Sequence, residues 1–270
     1  MLDETARWAR QQILEMIVSA GKGHIGGSLS CTDILVALYQ GGLLRVDSNN
    51  PTDSNRDRFI LSKGHAVEAL YAVLADMKFF PIEELQTYGQ PGSRLMSHPY
   101  FKVPGIDVST GALGHGLGIG AGLALAAKLD NKSCNTFVLL GDGECYEGSV
   151  WEAAMFSAHH KLSNLFAIID RNMQITLDFT EDCLQLESLE AKWKAFGWDV
   201  FETDGHDIDA FIKCVSAVRL EAVRIRPVVF IAHTIKGKGV SYMENCIGWH
   251  HNVPKGEQVD IARRDLCDGY

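Results

Sequence analysis

The sequence predicts an α/β fold with three layers, a mostly parallel sheet carrying helices on both faces. Short apolar runs recur along the chain, at Phe59-Ile60-Leu61, Thr136–Leu140, Leu165–Asp170, Trp198–Glu202 and Val228–Ala232. Helical patterns alternate with them, and strands alternating with helices of about 10–15 residues imply right-handed crossovers and parallel pairing. No repeat, low-complexity tract or Ser/Pro-rich linker divides the 270 residues, so residues 1–270 read as one domain. Domains of roughly 100–200 residues are usual, and this one has ample apolar material for a single core.

The elements follow in order. Ala6, Ala9, Ile13, Met16, Ile17 and Ala20 recur at helical spacing, giving a helix over Thr5 to Ala20. A glycine loop, Gly21 to Gly27, comes next. Ser30 and Asp33 have the spacing of a capping box opening a helix through Tyr39, which Gly41-Gly42 stop. Phe59-Ile60-Leu61 is a short buried strand running into Ser62-Lys63-Gly64-His65 and a helix to about Met77. The middle, Pro81 to Thr110, is loop-rich. A small-residue helix covers Leu113 to Leu129, and Gly114, Gly118 and Gly122 give it a smooth face for close contact with the core or another subunit. Strand Thr136–Leu140, helix Glu147–His160, strand Leu165–Asp170, helix Glu187–Phe196, strand Trp198–Glu202, helix Ile208–Val223 and strand Val228–Ala232 complete the pattern.

Composition narrows the function. Hydrophobic residues make up 46% and charged residues 22%, ordinary for a globular protein, and the net charge is −9. That balance opposes nucleic-acid and anionic-membrane partners, which select a basic surface. A polyphosphate ligand would have to be held by local donors or a metal. No apolar run approaches the roughly 20 residues of a membrane span. Leu117 to Ala127 comes nearest and is broken by three glycines. The start, Met1-Leu2-Asp3-Glu4, lacks the basic-then-apolar layout of a signal peptide. Seven scattered cysteines, never spaced C-x-x-C, are expected to be reduced thiols in a cytoplasmic protein.

The most informative segment is Leu139-Leu140-Gly141-Asp142-Gly143-Glu144, placed between a strand and a helix. Glycines let the backbone approach a ligand, and a helix start offers free N–H groups to an anion. A dinucleotide could use such a turn, with Asp170 as the ribose-binding acid, but the G-x-G-x-x-G spacing is absent here and in the glycine string from Gly111 to Gly122. Asp142 would also repel a diphosphate unless a cation lay between them. Mg²⁺ takes hard oxygens and pairs one or two protein ligands with substrate phosphates. Asn172 lies beyond the next strand, and neighbouring strand ends would bring Asp142 and Asn172 to one ion. The tripeptide by itself could equally be a turn, with Asn172 a capping residue.

Gly-Asp-Gly, twenty-eight intervening residues and then Asn is the thiamine-diphosphate motif, and the context Gly141-Asp142-Gly143-Glu144-Cys145-Tyr146-Glu147-Gly148 resembles transketolase. Four histidines in glycine- or proline-marked loops match that family in order and surroundings: His24, His65, His98 and His250. The resemblance implies that His24, His98 and His250 contact sugar hydroxyls and the carbonyl oxygen and shuttle protons, and that His65 meets the diphosphate or the reacting centre. Histidine pKa values near neutrality would suit that work. It further implies main-chain contacts from Gly111 and Leu113 to the cofactor, with Gly143, Asn172, His65, His250 and Lys236 beside it. Glu147 matches a glutamate that networks with a partner domain. The metal set it implies is Asp142, Asn172 and Gln174, binding Mg²⁺ (or Ca²⁺ or Mn²⁺). Lys236 could instead be a solvated loop lysine, and His115 stands where long transketolases usually have Gln.

The resemblance covers His24 to His250, the diphosphate-binding part of a transketolase. The pyrimidine-binding and C-terminal domains, with the glutamate that protonates the aminopyrimidine, are expected on a partner chain, in an α2β2 assembly of this chain with a C-terminal transketolase subunit. The reaction so implied is reversible transfer of a two-carbon ketol unit from a ketose, usually a sugar phosphate, to an aldose. Half of another thiamine-diphosphate enzyme, of deoxyxylulose-phosphate synthase or ketoacid dehydrogenase E1 type, is the nearest alternative. Ser62-Lys63-Gly64-His65-Ala66 and Trp249-His250 favour transketolase over these. A non-catalytic cofactor-binding relative and an NAD-dependent dehydrogenase are the others.

Overall fold

The computed structural model describes residues 1–220 and 224–268. In chain order the elements are α1 (Leu2–Ala20), α2 (Ile25–Ser30), α3 (Thr32–Tyr39), β1 (Arg58–Leu61), α4 (Val67–Asp76), α5 (His115–Leu129), β2 (Thr136–Gly141), α6 (Gly148–His159), β3 (Leu165–Arg171), α7 (Thr180–Cys183), α8 (Leu189–Ala195), β4 (Asp199–Asp204), α9 (Ile208–Arg219), β5 (Val228–His233) and α10 (Glu257–Asp268). The five strands form one sheet in the order β1-β2-β3-β5-β4, with every pairing parallel.

Every residue of β2 and β3 is buried, as expected of central strands covered on both faces. Their side chains alternate between two cores. Phe59, Leu61, Phe137, Leu139, Phe166, Ile168 and Phe230 join α1, α3, α4 and α9 on one face. Ile60, Val138, Leu140, Ala167, Ile169 and Ile231 join α5, α6 and α8 on the other. Phe137 and Phe166 are register partners, and their rings stack at 4.8 Å. The edge strand β4 keeps its polar residues partly exposed.

Three local expectations change. Ser30 and Asp33 do not form a capping box. The Ser30 hydroxyl donates to Asp170 at 2.6 Å, and Asp33 takes a bidentate bond from buried Arg10. Tertiary partners outcompete the local cap, and the chain forms two helices, α2 and α3, broken at Cys31. On α5 the glycines packed against the core are Gly116 and Gly120, and Gly118 and Gly122 of the predicted smooth face do not make the core contact. A Cβ on Gly120 would meet Val138 at 2.5 Å, whereas Gly122 has nothing within 4 Å. Helix α10, unpredicted, packs Val259, Ala262 and Leu266 inward and lies against α1. The predicted end of α9, residues 221–223, lies outside the described residues. Among the described residues no helix is long and apolar enough to cross a membrane.

Candidate functional site

Parallel pairing points the carboxyl ends of β1, β2, β3 and β5 at one side of the sheet, where ligands of open α/β sheets bind. The segments leaving those ends deliver Lys63 and His65, then Gly141 to Glu144, then Asn172 and Gln174 to Leu177, then Lys236. The loop after α1 adds His24, and the coil before α5 adds His98, Gly111 and Leu113. With His250, they line one cavity of about 420 Å³. All the sequence-predicted site residues meet there except Glu147, which is exposed at the start of α6 and does not line the cavity. His115 is likewise exposed and outside it.

Gly141 and Asp170 are register partners on β2 and β3, so the segments bearing Asp142 and Asn172 leave the sheet side by side. Asp142 is buried, and three donors orient its carboxylate. Gly143 N–H donates to Oδ1 at 2.7 Å, while Met173 N–H (2.6 Å) and Arg171 Nη1 (3.2 Å) donate to Oδ2. Burial pushes the Asp142 pKa up, and Arg171 opposes that rise. Asn172 donates from Nδ2 to Asp170 at 3.3 Å and accepts Gln174 N–H on Oδ1 at 3.2 Å. The Gln174 carbonyl accepts the Lys236 ammonium at 3.1 Å. The Asp142 carboxylate, the Asn172 amide oxygen and the Gln174 main-chain carbonyl are oxygens of the hard type that Mg²⁺ takes, and they could supply part of its shell.

Several residues outside the sequence prediction hold this frame. Glu144, buried, accepts Ser62 Oγ–H, Gly114 N–H at 2.8 Å and Gly141 N–H at 3.1 Å, joining the turn after β2 to the coil before α5. Gly114 permits that junction. Its φ is +83°, and a Cβ there would strike Glu147 at 2.6 Å. Buried Glu68 accepts His24 N–H, Ser28 Oγ–H and Tyr88 Oη–H, anchoring the His24 loop. Charged residues in otherwise apolar helical runs, such as Glu68 in Val67-Glu68-Ala69-Leu70, were the available signal. Asp170, the ribose-binding acid of the dinucleotide alternative, instead lies fully buried among Lys63, Ser30, Thr234 and Asn172.

The histidines cluster. The ring of His24 lies 5.2 Å from His65, 5.7 Å from His250 and 6.4 Å from His98, and His251, outside the prediction, stands 4.4 Å away. His250 Nε2 is 3.2 Å from Thr176 Oγ1. Four buried polar atoms of lining residues have no partner: Nδ1 of His24, Nδ1 of His250, and Nε2 and Oε1 of Gln174. Such orphans are costly unless a ligand meets them, and they fit a polar ligand in the cavity.

The expected near-neutral histidine pKa values are corrected by the structure. Burial, then the neighbouring histidines and Lys236, lower His24 to about 4. Burial, then Lys236, His24 and Lys63, lower His250 to about 3. His65 also falls well below its ordinary value, for burial and Lys63. Burial and Lys63 bring Lys236 down to about 8. At pH 7 the rings are therefore neutral, offering one donor and one acceptor each, and an arriving polyanion would favour their protonated forms.

A histidine neutral in the fold and free to protonate when unfolded binds more protons in the unfolded state. Its stabilising contribution is complete above about pH 6.5, the unfolded pKa, and falls as pH drops toward the folded values near 4 and 3. Stability is therefore expected to decline from pH 6.5 to 4. His24→Gln should reduce proton uptake on unfolding at pH 5 by about one proton. Denaturant melts across that range check this, and an unchanged slope in the variant would contradict it.

Comparison with known proteins places the chain. The family described as "Transketolase, thiamine diphosphate binding domain" matches residues 3–268. An apulose-4-phosphate transketolase subunit of Phocaeicola vulgatus is 47% identical over 259 residues, covering 96% of this chain and 91% of that protein. A 6-deoxy-6-sulfo-D-fructose transketolase subunit of a Clostridium species is 41% identical, covering 96% and 93%. The crystal structure of Campylobacter jejuni transketolase superposes with a TM-score of 0.91 at 28% identity, covering 98% of this chain but 42% of that one.

Proposed function

The chain belongs to the transketolase family as its thiamine diphosphate-binding domain, a transketolase-type transferase chain, and on that premise we propose that it is the N-terminal subunit of a split transketolase. It transfers a two-carbon ketol unit from a ketose, usually phosphorylated, to an aldose. The observation that carries this reading is the meeting of Asp142 and Asn172, from adjacent strand ends, with His24, His65, His98 and His250 around one cavity.

Thiamine diphosphate, when bound, supplies the nucleophilic carbon and electron sink that ketol transfer needs. Asp142 and Asn172, with the Gln174 carbonyl, would hold Mg²⁺, and Ca²⁺ or Mn²⁺ suits the same oxygens. Lys236, His65 and the main chain of Gly111, Leu113 and Gly143 would receive the cofactor. Lys236 does so as a point charge. His24, His98 and His250 would hydrogen-bond the sugar's oxygens and accept or return protons there, their basicity restored by the nearby polyanion. Glu147, exposed at the start of α6, would meet a partner chain.

The remaining pyrimidine-binding and C-terminal domains would sit on that partner, a C-terminal transketolase subunit, in an α2β2 cytoplasmic assembly. Two relatives named as transketolase subunits, covered over 91% and 93% of their own length, support this division. The tagged chain, recovered from its own host, is expected to bring down a second chain in equal amount. The eluate should catalyse ketol transfer with thiamine diphosphate and Mg²⁺. An eluate with the second chain and cofactor but no transfer would favour the non-catalytic alternative.

A further inference from the structure

Asp142 is wired through Arg171 to Thr180, Glu181 and Glu187, residues outside the cavity lining. Arg171, at the end of β3, is 1% exposed, yet its guanidinium reaches partners on two sides. Toward the cavity, Nη1 donates to Asp142 Oδ2 at 3.2 Å. Away from it, Nη1 donates to Thr180 Oγ1 at 2.9 Å, and Nη2 donates to Glu181 at 3.0 Å and Glu187 at 2.6 Å. We propose that Arg171, with Glu181 and Glu187, is a positioning assembly that couples the cation-binding geometry of Asp142 to the folding of the segment from Met173 to Ser188 at the cavity rim. The inference rests on the metal role proposed above for Asp142.

Two features of the geometry carry it. Asp142 Oδ2 already accepts both Arg171 and Met173 N–H, whereas Oδ1 accepts only Gly143 N–H. Arg171 thus stops the carboxylate from turning and leaves Oδ1 as the oxygen with room for a cation. The two glutamates also build the segment itself. Glu181 accepts Leu186 N–H and Glu187 N–H, and Glu187 accepts Leu189 N–H at the start of α8. Within that segment Ile175, Thr176 and Leu177 line the cavity.

Charge explains why two acids are present. A guanidinium beside a metal ligand repels a divalent ion, and in a poorly screened interior that repulsion is large. Glu181 and Glu187 offset it while remaining at the surface, with side chains 29% and 52% exposed. Removing them would leave Arg171 free to compete with a cation for Asp142 and would release the rim segment. Cation affinity and segment order should fall together.

The test uses Mn²⁺ with thiamine diphosphate, titrated into the assembly recovered by the tagged chain and read by Mn²⁺ electron paramagnetic resonance. Hydrogen exchange of residues 175–187 is followed in parallel. The Glu181→Gln/Glu187→Gln variant keeps Arg171 and changes only partly exposed positions. It is expected to bind Mn²⁺ about tenfold or more weakly, the usual cost of losing groups that orient a metal ligand. Its rim amides should exchange faster and gain less protection from the cation. Arg171→Lys, which keeps the charge but not the fork, should fall between wild type and Arg171→Met. A purely structural role would lower the melting temperature without moving the cation affinity of folded protein. A folded double-Gln variant with wild-type Mn²⁺ affinity and wild-type rim exchange would overturn the coupling alone. A wild-type assembly that binds no Mn²⁺ with the cofactor would overturn the proposed function and this inference with it.

Discussion

Asp142→Asn is expected to abolish metal-dependent cofactor binding while leaving the fold intact. The substitution removes one charge and almost no volume, so the sheet and both cores are untouched. Its effect falls on the ligand set and on the Arg171 and Met173 donors, because three donors now surround an amide. Gly143 N–H approaches one side-chain oxygen of Asp142, and Met173 N–H and Arg171 approach the other. An amide presents one oxygen and one NH₂ group, so in either orientation a donor faces a donor. The oxygen that remains is neutral, and a divalent ion loses its one charged protein ligand. Affinity for thiamine diphosphate in the presence of Mg²⁺ should fall by about 100-fold or more, on the order of 3 kcal/mol. Binding without the metal should change little. Calorimetric titration of the assembled complex, with and without Mg²⁺, separates the two. Unchanged affinity would remove Asp142 from the metal set.

Much of this is legible in the sequence. The alternation of apolar runs and helical patterns dictates the parallel sheet, because buried strands must be apolar on both faces and crossovers need helices. Asp142 and Asn172 were readable from their spacing, since one strand and one helix separate them and adjacent strand ends do the rest. The histidines stood out because they sit in loops marked by glycine or proline. What stayed hidden depends on contacts between distant parts of the chain. Ser30 has the local signature of a cap, yet its hydroxyl finds Asp170, 140 positions away. Glu144 and Glu68 look like solvated charges until the fold buries them among N–H and O–H donors. The histidine pKa values escape the sequence for the same reason. Only the assembled site shows four rings and two lysines crowded together, and that crowding with burial drives the rings neutral.

Lys63 belongs to this hidden class, and its replacement should produce the largest loss of stability. Lys63 is 1% exposed at the foot of the cavity. Its ammonium donates to Asp170 and, at 3.0 Å, to the Gly27 carbonyl. Burial lowers its pKa, but Asp170 outweighs that and holds the Lys63 pKa above its ordinary value. Asp170 in turn is held below its ordinary value against its own burial, chiefly by Lys63. Lys63→Met would leave that carboxylate at the centre of the protein with only Ser30, Thr234 and Asn172 as donors. Breaking a buried pair by removing one partner costs about 3–5 kcal/mol. For a chain of this size that corresponds to a melting temperature lower by roughly 5–9 °C. Adding Asp170→Asn should recover part of the loss, because the uncompensated charge is then gone. If Lys63→Met costs as little as a surface substitution, about 0.5 kcal/mol, the pair contributes nothing to the fold. The expected consequence reaches the site as well. Asn172 is oriented by its own bond to Asp170, so a protein that tolerates the paired substitution should still bind the metal and cofactor less tightly. Stability would then be partly restored where affinity is not, and thermal melts and calorimetric titration of the wild type and the two variants separate the two effects.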